Sequence, residues 1–413
     1  MLAAIAVAAA VAGGCTGPAR PTAPPLSARD ARWQRDIAYL ATRLPELRTG
    51  GLGKASRHAW DAAARTLEAR VPRLADGQIL VGMARMIAMI HDDETRIYFP
   101  QEPLYPFYSQ WVGDGLYLLG APPAYRGLLG SELLAIDGVP LSTVMTRVAS
   151  TIDYQDRVLL RDDEAGAIVD AGLLNWLGIT RSPTHAVFTV RTRSGRTENT
   201  QIRSNAAGQA DWPPDWLVYT QSLDFVPLPL YQQDAASPYW LKVLPAQHAV
   251  YLKYNQCLSG YGFQRLAQQA LALLKAHSDY RLIVDFRNNG GGDQEPFLSS
   301  LITGLQDSPQ ISPTRIIGLV NQYTASSATD DAQALKHQGA ALIGQTTAMS
   351  LGTWGNDATL VLPGSGISIG YTTAVINGSM TPSATPTVTV QPSLAQLMDG
   401  TDPVLAAALS YSP

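Results

Sequence analysis

The feature that most constrains the fold is an alternation of short apolar strands and amphipathic helices that begins after residue 238. The predicted strands cover 249–254, 281–286, 315–320 and 341–344, and the predicted helices cover 263–277, a segment after 295, and 327–337. Strands joined through helices pair mainly in parallel, because each helix returns the chain across the sheet. Two further strands, near 359–362 and 367–371, are expected to complete the unit. The pattern predicts a layered α/β domain over residues 238–413.

The segment 27–100 has the pattern of a helical region. Ser27 and Asp30 form a capping pattern ahead of one apolar stripe, made by Trp33, Ile37, Leu40 and Leu44. A second helix is predicted from Ser56 to Val71, where Pro72 stops it, and a third starts at Asp76.

The segment 101–182 is predicted to be a β-rich module. Its strand Leu133-Leu-Ala-Ile-Asp-Gly138, followed by a helix from Ser142, resembles the PDZ signature, in which Gly supplies a turn of positive φ. A PDZ groove binds a peptide C-terminus as an added strand. The alternative is a packing module that binds nothing.

The segment 183–237 is interpreted as a connection. A hairpin is predicted around 187–192, with Ser194-Gly195 as its turn, and a Pro- and Trp-rich linker follows at 212–216.

Residues 1–26 resemble an export signal and tether. The first fourteen residues are almost wholly small or apolar, Cys15 follows them, and residues 16–26 contain four prolines. Small residues before a cysteine resemble a lipoprotein box, which makes Cys15 the candidate site of acylation. The alternative is a signal peptide cut near Ala23. Either version predicts an exported protein, periplasmic or anchored in the envelope. Only acylation of Cys15 gives it a membrane contact, through the N-terminal lipid.

Composition and charge exclude several functions. The formal charge of −4 provides no basic field for a phosphate backbone, so no nucleic-acid partner is expected. The histidines are scattered without metal-ligand spacing, so we predict no metal site and no cofactor.

The first motif that carries chemistry is a buried strand ending in three glycines, Leu282-Ile-Val-Asp-Phe-Arg-Asn-Asn-Gly-Gly-Gly292. Without side chains, backbone N–H groups can converge there near a helix start, which suits an oxyanion hole. A phosphate loop or a tight strand-to-helix turn are the alternatives, but no Gly-Lys-Ser/Thr follows.

The second motif is Thr324-Ala-Ser-Ser-Ala-Thr-Asp330, which follows an apolar strand and starts a helix. A serine at this position has its Oγ at the carboxyl edge of the sheet, beside helix-start N–H groups that stabilise negative charge. The alternative is an ordinary helix N-cap.

Together the two motifs resemble the tail-specific (C-terminal-processing) serine peptidases. The resemblance extends to Gly344-Gln-Thr-Thr347, to Asp402-Pro-Val-Leu405 and to the PDZ-like insert. It implies a ClpP/crotonase-like catalytic core, with Ser326 as nucleophile. It also places the oxyanion hole at Gly291 or Gly292 together with the N–H of Ser327.

The expected general base is missing from both versions of the family pattern. One branch uses a lysine in the loop after 344–347, but the loop here continues Ala348-Met-Ser-Leu-Gly352. The tricorn and interphotoreceptor-retinoid-binding-protein-like branch uses a histidine from a segment that matches Asp92-Asp-Glu-Thr95, where Glu94 replaces it. Glu94 could act as base only if burial raises its pKa. His91, three residues earlier, is the other candidate.

Two functions follow as hypotheses. The first is a serine-type peptidase that hydrolyses peptide or protein substrates in the bacterial envelope without a cofactor. The second is an inactive peptide- or lipophile-binding protein, as the retinoid-binding relatives illustrate. Contact between Ser326 Oγ and Glu94 or His91 would favour catalysis, and its absence would favour binding.

Overall fold

The computed structural model describes residues 27–100, 102–205, 228–349, 354–375 and 383–412. It contains an N-terminal helical region, an antiparallel β module and a layered α/β domain, so the predicted fold class is confirmed. The predicted tether with Cys15 and the linker at 212–216 lie outside the described residues.

The strands are β1 (Arg96–Ile97), β2 (Tyr108–Val112), β3 (Gly115–Gly120), β4 (Glu132–Ile136), β5 (Val139–Pro140), β6 (His185–Arg191), β7 (Thr197–Arg203), β8 (Tyr239–Leu244), β9 (Ala249–Tyr254), β10 (Arg281–Asp285), β11 (Ile316–Val320), β12 (Ala341–Gly344), β13 (Trp354–Val361), β14 (Ser368–Val375) and β15 (Val388–Thr389). The helices are α1 (Ala28–Leu47), α2 (Arg57–Arg70), α3 (Asp76–Ile87), α4 (Leu141–Ala149), α5 (Arg157–Ala167), α6 (Ala171–Trp176), α7 (Gly262–Ala276), α8 (Ser327–His337), α9 (Leu394–Asp399) and α10 (Pro403–Ser410), with short helical turns over 295–306.

The α/β domain is built on a six-stranded sheet of order β15-β12-β11-β10-β9-β8. All neighbours pair in parallel except β8, which is antiparallel to β9. Every residue of β9 and β11 is buried, because helices cover both faces of a parallel sheet. Leu252 faces α7 on one side, and Tyr251 faces Val404 of α10 on the other.

The N-terminal helices pack on the hairpin β13–β14. Ser27 caps α1 as the sequence predicts, and Ser56 caps α2; each accepts a backbone N–H three residues on. The apolar stripe of α1 shares a core cluster with Leu360 and Ile369 of the hairpin. Because β1 pairs with β14, the turn 91–95 between α3 and β1 lies at the edge of this hairpin.

The β module has the strand order β2-β3-β4-β6-β7, all antiparallel. Its hairpin β6–β7 turns at Ser194-Gly195 as predicted and pairs with β4. The hairpin therefore belongs to the sheet of the PDZ-like segment, across the boundary expected at residue 182. Alternation predicts a hairpin, but it does not identify a partner strand some 50 residues earlier.

Among the described helices, none is long and apolar enough to cross a membrane.

Candidate active site

Two loops meet at one edge of the α/β sheet. The glycine loop follows β10 and contains Gly290–Gly292, and the serine loop follows β11 and contains Ser326. β10 and β11 are parallel neighbours, with Asp285 opposite Leu319, so both strands end at the same edge. Thr324 fastens the two loops, since its Oγ1 donates to the Phe286 carbonyl at 3.0 Å. Asn288 and Asn321 are also bonded side chain to side chain at 2.7 Å.

Ser326 has a strained backbone. It lies immediately before α8 with φ 52° and ψ −133°, a region that residues with a Cβ rarely adopt. Its side chain is partly exposed and forms no hydrogen bond with any described residue. Gly291 makes this geometry possible, because a Cβ there would lie 2.6 Å from the Cβ of Ser326. The serine hydroxyl is thus presented at a helix start, as a nucleophile requires.

Two backbone donors beside Ser326 have no partner in the described part of the chain, namely the N–H groups of Gly292 and Ser327. The N–H of Gly291 is already engaged, since it donates to Asn289 Oδ1 at 2.9 Å. Of the two glycines that the sequence left open, Gly292 is therefore the one whose N–H remains available. Ser327 adds the partial positive charge of a helix N-terminus.

Asn289 holds the glycine loop in place, a role that the sequence analysis missed. Its Nδ2 donates to the Tyr254 carbonyl at 2.9 Å, and its own carbonyl accepts the N–H of Ala325 at 2.9 Å. The residue thereby joins the glycine loop to β9 and to the serine loop. The only sequence signal was its place between an apolar strand and the glycines.

A buried polar cluster lies behind the glycine loop. The sulfur of Cys257 is 3.6 Å from Asp331 Oδ2 and 3.7 Å from Asn289 Oδ1. Burial raises the pKa of Asp331 well above its usual value, which favours the protonated form of this carboxyl. Burial also raises the pKa of the Cys257 thiol, which therefore supports the loop and is not a reactive nucleophile.

A second buried network fixes the end of β10. Arg287 bonds to both Asp285 and Asp402, and Lys253 Nζ donates to the backbone carbonyl of Arg287 at 2.6 Å. Burial alone would raise the pKa of Asp285, but Arg287 and Lys253 outweigh it and lower that pKa. The lysine ammonium is fully enclosed and directed at backbone carbonyls, so it serves this network.

Asp92 anchors the turn that carries the two candidate bases. Its carboxylate pairs with Arg48 Nε at 2.6 Å, and both side chains are fully buried. It also accepts the N–H of Thr95 at 2.6 Å and the hydroxyl of Thr95. Burial would raise the pKa of Asp92, but hydrogen bonds from Asp153 and Thr95 and the charge of Arg48 hold it at about 2.

Glu94 has the acidity of a base that works near neutral pH. Its side chain is only 12% exposed, and burial followed by the charge of Asp357 raises its pKa to about 8. Arg96 lies 3.5 Å away and opposes this rise. The structure describes both Glu94 and Ser326, and the two residues form no hydrogen bond with each other.

His91 faces another part of the surface. Its Nδ1 lies 2.8 Å from the Tyr154 carbonyl, and its ring packs edge-on against that tyrosine. It lines a depression with Arg85 and Glu164, to which Ser326 does not contribute. The structure thus brings together Ser326, the glycine loop and Ser327, and it brings neither His91 nor Glu94 into hydrogen-bond contact with the hydroxyl.

A short relay of hydrogen bonds nevertheless links the turn of Glu94 to the serine loop. The N–H of Ala348 donates to the Thr324 carbonyl at 2.9 Å, and Ser383 Oγ donates to the next carbonyl, that of Met349, at 3.0 Å. Ser383 also bonds to Asp156, whose N–H donates to Asp93 Oδ1 at 3.1 Å. Asp93 directly precedes Glu94.

Within the described ranges no group of three His, Cys, Asp or Glu side chains has the arrangement of a metal site.

Comparison with known proteins identifies the fold. No family model and no curated protein sequence matches the chain. Among solved structures, mature CPAF aligns with a TM-score of 0.60 and 14% identity over 93% of this chain and 97% of that chain. Mature CPAF complexed with lactacystin aligns with a TM-score of 0.58 and 13% identity over the same shares. The chain has a tail-specific-protease-like fold, which confirms at the level of fold the resemblance drawn from the two motifs.

Proposed function

We propose that this protein is a serine-type peptidase in which Ser326 attacks the carbonyl carbon of a peptide bond. The observation that carries the proposal is the strained φ of Ser326 beside two unengaged N–H groups, those of Gly292 and Ser327. Strain at a non-glycine residue persists where surrounding structure enforces it, and such positions cluster at functional sites.

The reaction proceeds in two steps through an acyl-enzyme. Ser326 Oγ forms a bond to the carbonyl carbon, and the oxyanion accepts hydrogen bonds from Gly292 and Ser327. The hydroxyl proton passes to a base and then to the leaving amine, so that the C–N bond breaks and Ser326 carries the acyl group. Water then attacks the ester and releases the acid. Each oxyanion donor of this kind contributes about 10²–10³-fold to the rate.

Glu94 is our candidate for the base. Its burial and its pKa of about 8 match the task of a general base, and a chain of hydrogen bonds that runs through Asp156 and Ser383 connects its turn to the loop of Thr324. Catalytic contacts often tighten only when substrate is bound. We therefore propose that peptide binding brings the carboxylate of Glu94 to Ser326.

We further propose that the chain works in the bacterial envelope on peptide or protein substrates. The apolar residues 1–14 followed by Cys15 support export and acylation of that cysteine. Mass spectrometry of the membrane fraction tests this, since loss of the lipid from a Cys15→Ser variant is expected.

Cleavage of a defined peptide mixture tests the peptidase proposal. Purified chain is incubated with the mixture, and new termini are identified by mass spectrometry. Products that depend on Ser326 and vanish in Ser326→Ala are expected. Wild-type chain that is folded and leaves every peptide intact over a pH range of 6–9 would refute it.

A non-catalytic peptide-binding protein is the second candidate. The observation in its favour is that Ser326 Oγ has no hydrogen bond with Glu94, His91 or any other described residue. This candidate predicts saturable peptide binding that Ser326→Ala leaves unchanged, with no turnover.

A further inference from the structure

A cavity of about 300 Å³ lies between the β module and the α/β domain, beside the glycine loop. Tyr108 and Gln110 of β2 and Asp162 of α5 form one wall. Gly290 of the glycine loop and Tyr323 of the serine loop also line it. The volume is large enough for one long amino-acid side chain.

The cavity borders the two loops that carry the candidate site, although Ser326 itself does not line it. Gly290 directly precedes Gly291, whose Cα lies against Ser326, and Tyr323 is three residues before that serine. The side chain of Gln322, next to Tyr323, also contacts the Trp111 carbonyl of β2 at 3.4 Å. A peptide whose scissile carbonyl lies at Ser326 therefore has a nearby side chain within reach of the cavity.

Among the described residues that line the cavity, Arg287 is the only cation, and its charge is already neutralised. Arg287 lines the cavity, but its guanidinium bonds to Asp285 and Asp402 and stacks on the ring of Tyr231 at 4.0 Å. With Lys253, that network holds two positive and two negative charges. It contributes no net charge to the cavity.

Asp162 is an acidic residue on the cavity wall that does not belong to this charged network. In the described part of the chain its carboxylate makes no hydrogen bond and no ion pair. Burial, and then the neighbouring Asp163, raise its pKa to about 7. An unpartnered carboxyl at the edge of a cavity is costly to ionise unless a ligand supplies a cation.

The other walls suit the stem of a long cationic side chain. The rings of Tyr108 and Tyr323 and the side chain of Leu397 offer apolar surface, while Gln110 offers a side-chain carbonyl as acceptor. Lysine and arginine bury their methylene stems and keep a polar head on an acceptor.

We propose that this cavity is a subsite for a lysine or arginine side chain of the peptide, with Asp162 as the residue that determines specificity. The inference rests on the proposed peptide function and adds the chemistry of the preferred substrate.

Binding measurements on the full chain with Ser326→Ala test the subsite without turnover. The probes are fluorescent peptide sets in which one position is lysine or its neutral analogue norleucine, or arginine or its neutral analogue citrulline. We expect on the order of tenfold tighter binding of the charged member at one position, the gain of a charge-assisted hydrogen bond. The preference should grow between pH 6 and pH 8 as Asp162 ionises.

Asp162→Asn should abolish this preference, and Asp163→Asn is the matched control. Asp163 is adjacent in sequence but lines a different cavity, with Asp93 and Arg96, so its loss should keep the preference for the charged peptides and only move its onset to lower pH, because Asp163 raises the pKa of Asp162. Equal binding of charged and neutral peptides, or a preference that survives Asp162→Asn in a folded chain, would overturn the inference. Asp162-dependent binding without any cleavage by wild type would refute the peptidase proposal and leave the subsite standing.

Discussion

The candidate site has two sides that differ in how completely their groups are positioned. The nucleophile side consists of the glycine loop and the serine loop, and the base side consists of the turn 91–95. On the nucleophile side, Asn289 and Thr324 bond the two loops together, and the N–H groups of Gly292 and Ser327 remain for an oxyanion. On the base side, Asp92 is locked by Arg48 and Thr95, while Glu94 has a raised pKa and no bond to Ser326.

This difference follows from the kind of group that each side uses. Oxyanion donors are backbone groups, and their positions are set by one loop and one helix start. A general base must reach across from another unit, and here the base side begins more than 200 residues earlier in the chain. In the mechanism that we propose, charge stabilisation therefore belongs to the α/β domain alone, whereas proton transfer depends on how the N-terminal region contacts that domain.

Glu94→Gln tests the base side and should have the largest effect. The amide cannot accept the serine proton, so we expect peptide cleavage to fall by roughly 10²–10⁴-fold, the range of general-base catalysis. Because the pKa of Glu94 is raised to about 8, wild-type kcat/KM should rise with pH through about 8 as the carboxyl loses its proton. Stopped-time assays between pH 6 and pH 9.5 measure both quantities.

His91→Gln is the control for that experiment. Its ring is bonded to the Tyr154 carbonyl, away from Ser326, so we expect the rate and pH profile of wild type. A pH profile that is unchanged in Glu94→Gln but altered in His91→Gln would reverse the assignment.

Gly292→Ala tests the nucleophile side and should have the next largest effect. A Cβ at this position would lie 2.1 Å from the Cys257 carbonyl oxygen, at a φ of 131°, so the N–H must turn away. Loss of one oxyanion donor is expected to lower kcat by about 10²–10³-fold.

Gly290→Ala is the matched control for the glycine loop. No described atom lies within 4 Å of a Cβ added there, so hydrolysis of a small activated ester should stay close to wild type. Circular dichroism checks that both variants fold. Equal activity in Gly292→Ala and Gly290→Ala would mean that this N–H is not an oxyanion donor.

Asp153→Asn should have the smallest effect and concerns only the stability of the base-side turn. Burial, followed by its hydrogen bond to Asp92, raises the pKa of Asp153 to about 10. Between about pH 4 and pH 10 the folded chain therefore keeps a proton on Asp153 that the unfolded chain has lost. The contribution of this group to the free energy of unfolding is fully present at low pH and declines as pH rises from about 4 toward 10.

An asparagine in place of Asp153 can donate to Asp92 at every pH. We expect Tm at pH 9 to exceed that of wild type by roughly 2–4 °C, which corresponds to about 1 kcal/mol in a moderately large domain, and the gain to shrink at pH 5. Calorimetry at the two pH values measures it. A gain that is equal at both would show that Asp153 is not the titrating group.

Local patterns predicted the nucleophile side well. The strand before the glycines and the start of α8 at Ser327 each depend on a few contiguous residues, and the structure has both; the same holds outside the site for the cap of α1 at Ser27. The parallel pairing of β10 and β11 follows from the helices between them, which is why two separate motifs meet at one edge.

Long-range packing explains what the sequence did not reveal. The partner of the hairpin β6–β7 is β4, a choice that alternation leaves open. The hydrogen bonds by which Asn289 holds the glycine loop depend on Tyr254 and Ala325, and neither motif predicts these contacts. The raised pKa of Glu94 depends on its burial and on the charge of Asp357, which lies more than 250 residues later in the chain.

Labelling with a fluorophosphonate probe tests most directly whether Ser326 is an activated nucleophile. Wild-type chain, Ser326→Ala and Glu94→Gln are treated at pH 7 and pH 9, and the site is located by mass spectrometry. We predict labelling at Ser326 that is stronger at pH 9, absent in Ser326→Ala and strongly reduced in Glu94→Gln. A folded wild-type chain that takes up no label at either pH would contradict the account and leave the binding protein as the better explanation.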